Sequence, residues 1–265
     1  MHPINAIKKI ALLIRSIPRK AEKILHFFNL TRFTPSLEVP APTHIEIEAT
    51  TRCNATCGTC TRTHLSREDM KNDLHPDTLK KVLIALPDLT SLRLVGLGET
   101  FLNPNIENIL QQLKARSIRV WIITNGSLLQ DVHVRNLIHD YVDDVAISID
   151  STDPEEFSRL RPMGNIGLAD VAEGMKLLIK ERNDGRSNTT IGISTTVTHE
   201  NYHDLPSIGS MSIDMGVDYV AIAFVENWMI QGDPGYSAIS DNVNESMKYL
   251  PQIRQAIRKQ QLRLT

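Results

Sequence analysis

From residue 43 onward, short apolar and β-branched runs alternate with longer stretches whose apolar positions recur at helical spacing. His44–Ala49 reads as a strand, and Asp77–Leu86 as a helix with Pro76 just before its first turn. Leu92–Gly96 is a short apolar run, followed by a helix over Asn105–Ala115. Val120–Thr124 predicts a strand and Asp131–His139 a helix. Val145–Asp150 predicts another strand, with helical stretches after it at Pro154–Leu160 and Leu168–Lys180. Thr190–Val197, rich in Ile, Thr and Val, is a strand. A helix near His203–Met215, a strand at Tyr219–Phe224 and a helix over Asn244–Gln260 follow, and Gln261–Thr265 begins a further element.

Strand–helix alternation predicts an α/β fold with a parallel sheet and right-handed crossovers. Leu92–Gly96, Val145–Ile149 and Tyr219–Phe224 are nearly continuous apolar runs, as strands covered on both faces require. Such units build either a doubly wound open sheet or a partial barrel. Side-chain parity bears on the choice. Glu46 and Glu48 share one face of the first strand, Ser148 and Asp150 one face of the fourth, and Thr190, Ser194 and Thr196 one face of the fifth. Helices must cover the outer face, so the polar set is expected to point into a ligand-holding cavity. The competing reading makes Glu46 and Glu48 the solvent face of an edge strand.

The first residues differ from the rest. Lys8, Lys9, Arg15, Arg19, Lys20, Lys23 and Arg32 face only Glu22, while Ile4, Ile7, Ile10, Ala11, Ile14 and Ile17 recur at helical spacing. We divide the chain into a basic amphipathic arm with a Pro-rich connector (1–42) and a core domain (43–265). The arm reads as a helix with solvated charges, as a transit peptide, or as a helix resting on an anionic membrane surface. The whole chain has 29 Lys and Arg against 31 Asp and Glu, a net charge of −2, so no nucleic-acid partner is expected.

Only three cysteines occur, Cys53, Cys57 and Cys60, all on the segment directly after the first strand. This clustering in a cysteine-poor chain argues against a disulfide framework and for a metal site in a reducing, cytoplasmic compartment. Thiolates are soft ligands suited to iron–sulfur clusters and to zinc. Three thiolates on a four-iron cube leave one iron open to a small molecule. Zinc held by the three cysteines and His64 is the alternative.

With this Cys-x3-Cys-x2-Cys loop after the first strand, the chain resembles the radical-SAM superfamily over roughly residues 43 to 225. The resemblance implies a partial (β/α)6 TIM-type barrel. It also implies one [4Fe–4S] cluster on Cys53, Cys57 and Cys60, and S-adenosylmethionine (SAM) as second cofactor. Gly96, Gly98 and Glu99 look like the family's Gly-Gly-Glu segment, which holds the amino group of the SAM methionine. Thr124-Asn125-Gly126 ends the third strand as in many members; a simple turn is the other reading of Asn125. Ser148 and Asp150 match positions that often bind the ribose or carboxylate of SAM, or else cap the strand end. Arg161 resembles a recurrent family arginine; of its two readings, surface charge is preferred here over a SAM contact. The sixth strand, Tyr219–Phe224, would offer backbone to adenine. Thr59 and Thr100 stand where an aromatic residue and a proline are usual.

The implied chemistry is reductive cleavage of SAM to a 5′-deoxyadenosyl radical, which takes a hydrogen atom from a small-molecule or peptide substrate. An electron donor is needed, and no side-chain acid or base is named. The chain is similar to the family's SPASM-type members without their cysteine-rich extension. Glu226–Asn242 reads as a long loop. A scaffold that binds the cluster or SAM without turnover is the non-enzymatic alternative.

Overall fold

A computed structural model describes residues 40–225, Pro251 and the strand Arg263–Leu264. The expectations for the arm over residues 1–39, for the loop Glu226–Asn242 and, Pro251 apart, for the helix Asn244–Gln260 fall outside these residues.

The sheet runs β1 (His44–Ile47), β2 (Ser91–Leu94), β3 (Arg119–Thr124), β4 (Asp144–Ser148), β5 (Thr190–Val197), β6 (Tyr219–Phe224) and β7 (Arg263–Leu264). Every neighbouring pair is parallel, and strand order follows chain order without a jump. The sheet curls as the predicted partial barrel. The element expected over Gln261–Thr265 is the seventh strand, pairing Arg263 with Tyr219 and Leu264 with Val220.

Helices α1 (Pro76–Ala85), α2 (Ile106–Ala115), α3 (Val132–Tyr141), α4 (Pro154–Leu160), α5 (Leu168–Asn183) and α6 (Leu205–Met215) connect the strands. Their starts are set by local chemistry. Asp131 accepts from His133 N at 2.8 Å and Asp153 from Glu156 N at 2.8 Å. Pro76 and Pro154 occupy first-turn positions, where a missing N–H costs nothing. The outer sheet face is apolar: Leu92, Leu94, Ile122, Val145, Ile147, Ile191 and Ile193 are all fully buried.

α3 and α5 are also joined by a polar cluster. The buried His139 ring places Nε2 3.1 Å from Glu181 Oε2 and Nδ1 2.8 Å from Ser187 Oγ. Arg135 Nε lies 3.0 Å from each Glu181 oxygen. Burial pulls the His139 pKa below its ordinary value, with Glu181 opposing the shift. The native state therefore prefers the neutral ring, and His139 contributes stability that is full above about pH 6.5 and lost as pH falls through the lower folded value. The urea midpoint is expected to drop between about pH 7 and pH 5, with a smaller drop in His139→Gln. An identical pH slope in both proteins would refute this role.

The inner face is the polar one. Trp121, Asp144 and Thr190 lie in register across β3, β4 and β5, as do Ser148 and Ser194. Arg93, Trp121, Ile123, Asp144, Ser194 and Tyr219 line a cavity of about 1200 Å³. The parity expectation thus holds for β4 and β5. On β1, Glu46 pairs with Arg93 (3.4 Å), its register neighbour on the same face. Glu48 Oε1 accepts from Leu97 N at 2.5 Å.

Candidate functional site

The cysteine loop begins where β1 ends and is anchored at its base. Thr50 Oγ1 donates to Asp73 Oδ1 (2.6 Å), and Arg52 Nε lies 3.0 and 2.9 Å from the two Asp73 oxygens. A turn over Gly58 and Thr59 is closed by Cys60 N donating to Cys57 O at 3.1 Å. The loop is also tied to the segment after β3 and to the segment after α4. Asn54 Nδ2 donates to Ser127 Oγ (2.8 Å), Asn125 Nδ2 donates to Asn54 Oδ1 (2.8 Å), and Thr56 N donates to Pro162 O (3.0 Å). All three cysteines are free and half-buried.

Their electrostatic setting is mixed. Burial pushes the Cys57 thiol up to about 11, and Arg161 pulls the other way. Burial likewise raises Cys53, whose sulfur receives Ala55 N at 3.4 Å while Arg62 opposes the shift. Asn125 Nδ2 lies 3.9 Å from Cys53 Sγ. Without metal, burial therefore favours the protonated form of Cys53 and Cys57. The donor set nonetheless fits a cluster: three soft ligands on one anchored loop, two guanidinium groups to offset thiolate charge, and an amide donor beside one sulfur. His64 is exposed, and among the described residues no group of three or more His, Cys, Asp and Glu is arranged to hold a single metal ion.

The Gly96–Glu99 segment packs against this loop. Glu99 N donates to Arg52 O at 2.7 Å. The buried Glu99 carboxylate accepts from Asn125 N (2.7 Å), Thr124 Oγ1 (2.8 Å) and Phe101 N (3.4 Å). Burial raises its pKa, and those hydrogen bonds oppose the rise. Glu99 therefore fastens the end of β3 to the glycine segment, and both its oxygens are engaged within the protein. Among the described residues no hydrogen bond uses the carbonyls of Gly96 and Gly98. Thr100 is buried and donates to Leu94 O at 3.3 Å, so it closes the strand end where a proline would leave no donor.

Gly98 is required by close approach of backbone. A Cβ there would lie 2.6 Å from the Thr50 carbonyl carbon and 2.7 Å from Arg52 O. Gly98→Ala is expected to destabilise the domain by about 1–3 kcal/mol, the usual cost of overpacking, because no flexible side-chain end can give way. A denaturant midpoint unchanged from wild type would show that the segment yields freely.

The other candidates gather at the ends of β3, β4 and β5. Asn125 is buried beside Cys53, and Ser148 is buried on the inner face. Asp150 Oδ1 accepts from Thr196 N at 2.7 Å, and Asp150 Oδ2 lies 2.6 Å from Arg161 Nε. The preference for Arg161 as a surface charge is corrected. Its side chain is 13 % exposed, because the segment after α4 folds back onto the cysteine loop through Pro162. Sequence reasoning did not pick out Arg62, Asn54 or Ser127. Arg62 follows Cys60 by two positions, and its charge was the available signal. Asn54 and Ser127 carried none beyond their types.

The Radical SAM superfamily model matches residues 47–209. The chain is 30% identical over 184 residues to the tungsten-containing aldehyde ferredoxin oxidoreductase cofactor-modifying protein of Pyrococcus furiosus, covering 68% of this chain and 51% of that one. It is 27% identical over 199 residues to the antilisterial bacteriocin subtilosin biosynthesis protein AlbA of Bacillus subtilis, covering 73% of this chain and 41% of that one. The fold is similar to that of Streptococcus suis SuiB bound to precursor peptide SuiA, with a TM-score of 0.67, 18% identity, and 94% of this chain and 54% of that one covered. The chain spans about half the length, or less, of these curated relatives. The family match extends from the end of β1 through the cysteine loop, the Gly96–Glu99 segment, Asn125, Asp150 and Arg161 into α6, and the chain belongs to the radical SAM superfamily.

Proposed function

We propose that this chain is a radical-SAM enzyme domain that holds one [4Fe–4S] cluster on Cys53, Cys57 and Cys60 and binds SAM at the same strand ends. The carrying observation is the cysteine loop itself. Its three thiols sit on one short loop held by Asn125 at the end of β3 and by Pro162 after α4, with Arg62 and Arg161 beside it. When bound, the reduced cluster and SAM supply a 5′-deoxyadenosyl radical that takes hydrogen from a substrate.

The protein's own part is to orient and to exclude solvent. The carbonyls of Gly96 and Gly98, which no hydrogen bond among the described residues uses, would accept from the SAM ammonium, while Glu99 keeps that segment on Asn125. Ser148 and Asp150, on the inner-face register of β4, would meet the ribose or carboxylate, and the backbone of β6 the adenine. The substrate lies in the inner-face cavity and is a peptide. Support comes from AlbA, named for bacteriocin biosynthesis, and from SuiB, solved with a precursor peptide. A cytoplasmic electron donor would reduce the cluster. Among the described residues no helix is long and apolar enough to cross a membrane.

The test is anaerobic reconstitution followed by metal analysis and electron paramagnetic resonance with and without SAM. About four irons per chain, a spectrum that changes with SAM, and 5′-deoxyadenosine on reduction are expected. Zinc in place of iron would overturn the cluster. A full cluster without 5′-deoxyadenosine would make the domain a binding scaffold.

A further inference from the structure

Among the described residues, the wall of the inner-face cavity includes none of the cysteine loop and takes in the first residues of β3, β4, β5 and β6. There Arg93, Arg119, Trp121, Asp144 and Tyr219 stand together. The aromatic and acidic members are already satisfied. Trp121 Nε1 donates to Tyr219 OH at 3.3 Å, and Tyr219 OH donates to Asp144 Oδ1. Gly192 makes room for the phenol: a Cβ there would lie 2.5 Å from the Tyr219 ring.

The two arginines are not used up. Arg93 is stacked on the Trp121 ring, 3.9 Å from its centroid, with one nitrogen 3.4 Å from the half-exposed Glu46. Stacking fixes the guanidinium plane, and among the described residues no hydrogen bond engages its other donors. Arg119 lies one strand over and two register positions earlier, on the same face. Among the described residues no hydrogen bond or ion pair engages its guanidinium. Two cations on adjacent strands, one held by stacking and one free, form a fork for an anion.

We infer that this pair is a substrate-recognition subsite, in which Arg93 and Arg119 hold a carboxylate of an acidic peptide whose reacting residue lies deeper in the barrel. The inference rests on the proposed enzymatic reading and names its substrate class. Three observations favour a peptide carboxylate over a phosphorylated small molecule. Asp144 and Asp218 line the same cavity, and among the described residues only Asp218 has an ion-pair partner there, Arg182, so one negative charge is better tolerated beside Asp144 than two. The cavity, about 1200 Å³, exceeds what a small ligand needs. Asn188, Thr190 and Ser194 on its wall can pair with an extended peptide backbone. At about 3.3 Å per residue, β3 separates the Arg119 end from the Thr124 end by roughly 16 Å, or about five residues of extended substrate.

The test measures fluorescence anisotropy of a labelled, end-capped decapeptide of alternating Gly and Glu on the reconstituted protein, without SAM. Its Gln counterpart, a Lys counterpart and inorganic phosphate serve as comparisons. The Glu peptide is expected to bind at least about tenfold more tightly than the Gln peptide. Arg119→Gln should remove about tenfold of that preference, and Arg119→Glu should shift it toward the Lys peptide. Both substitutions are at an exposed position, and circular dichroism reports their folding. Equal binding of Glu and Gln peptides, or an unaltered preference in both variants, would overturn the subsite. Displacement by millimolar phosphate at the same residues would replace the carboxylate assignment with a phosphate one. Because binding is read without turnover, a wild-type protein that binds the Glu peptide but never cleaves SAM would fail the enzymatic reading alone.

Discussion

Cys57→Ala is expected to lower the iron content of the reconstituted protein from about four per chain to less than one, and 5′-deoxyadenosine formation by roughly a hundredfold or more. Loss of a supporting contact to a metal ligand already costs about 10–100-fold, and this change removes the ligand itself. Cys57 is also the thiol whose burial raises it to about 11, with Arg161 opposing. Its sulfur has little reason to ionise unless a metal takes it. The loop should survive the change, because the Cys60 N–Cys57 O bond at 3.1 Å and the Thr56 N–Pro162 O bond at 3.0 Å use backbone only. Circular dichroism should therefore match wild type while iron and visible absorption vanish. Cys57→Ser should behave almost as badly, since a hydroxyl is a hard, neutral donor. Full iron occupancy in either variant would remove Cys57 from the ligand set.

Arg161→Met is expected to destabilise the domain by about 3–5 kcal/mol, the range for removing one partner of a buried ion pair. Asp150, whose side chain is 6 % exposed, would lose a cation 2.6 Å away and keep only the Thr196 N–H on its other oxygen. The double variant Arg161→Met with Asp150→Asn should recover much of the loss. A neutral amide can still accept from Thr196 N and no longer strands a charge. Urea denaturation of the metal-free protein reads both effects without reference to activity. A loss below about 1 kcal/mol in the single variant would place Arg161 among ordinary surface charges.

How the fold could be read from the chain differs by element. β5 and β6 were legible to the residue, because Thr190–Val197 and Tyr219–Phe224 are β-branched or apolar runs bounded by polar or turn-forming segments. β1 was read through Ala49 but ends at Ile47, since Thr50 turns aside to pair with Asp73. That long-range pairing leaves no mark on local periodicity. The helix near His203–Met215 divides into a single 3-10 turn, Tyr202–Asp204, and α6.

The candidate site was legible in its cysteines and less so in their supports. Cysteine spacing and position after β1 pointed directly to the loop proposed to hold the cluster. Arg161 was misjudged because its burial depends on a fold-back set by Pro162, far along the chain from Thr56. Glu99 was legible as part of the glycine segment, but no local pattern shows that its carboxylate closes on Asn125. Trp121 and Tyr219 reach each other only through the register of β3 to β6.

The strictly sequential strand order has a consequence for synthesis on the ribosome. Each strand can dock on the one made before it, so the sheet grows outward from a single edge without waiting for an interior strand. The thiols belong to the oldest part of that growing edge, whereas Asn125 and Arg161 arrive with the third and fourth strands. A nascent chain therefore displays bare cysteines before it owns the groups that hold their loop. If the loop holds the proposed cluster, metal delivered before the fourth strand and its helix emerge would meet a loop not yet held by Asn125 and Pro162.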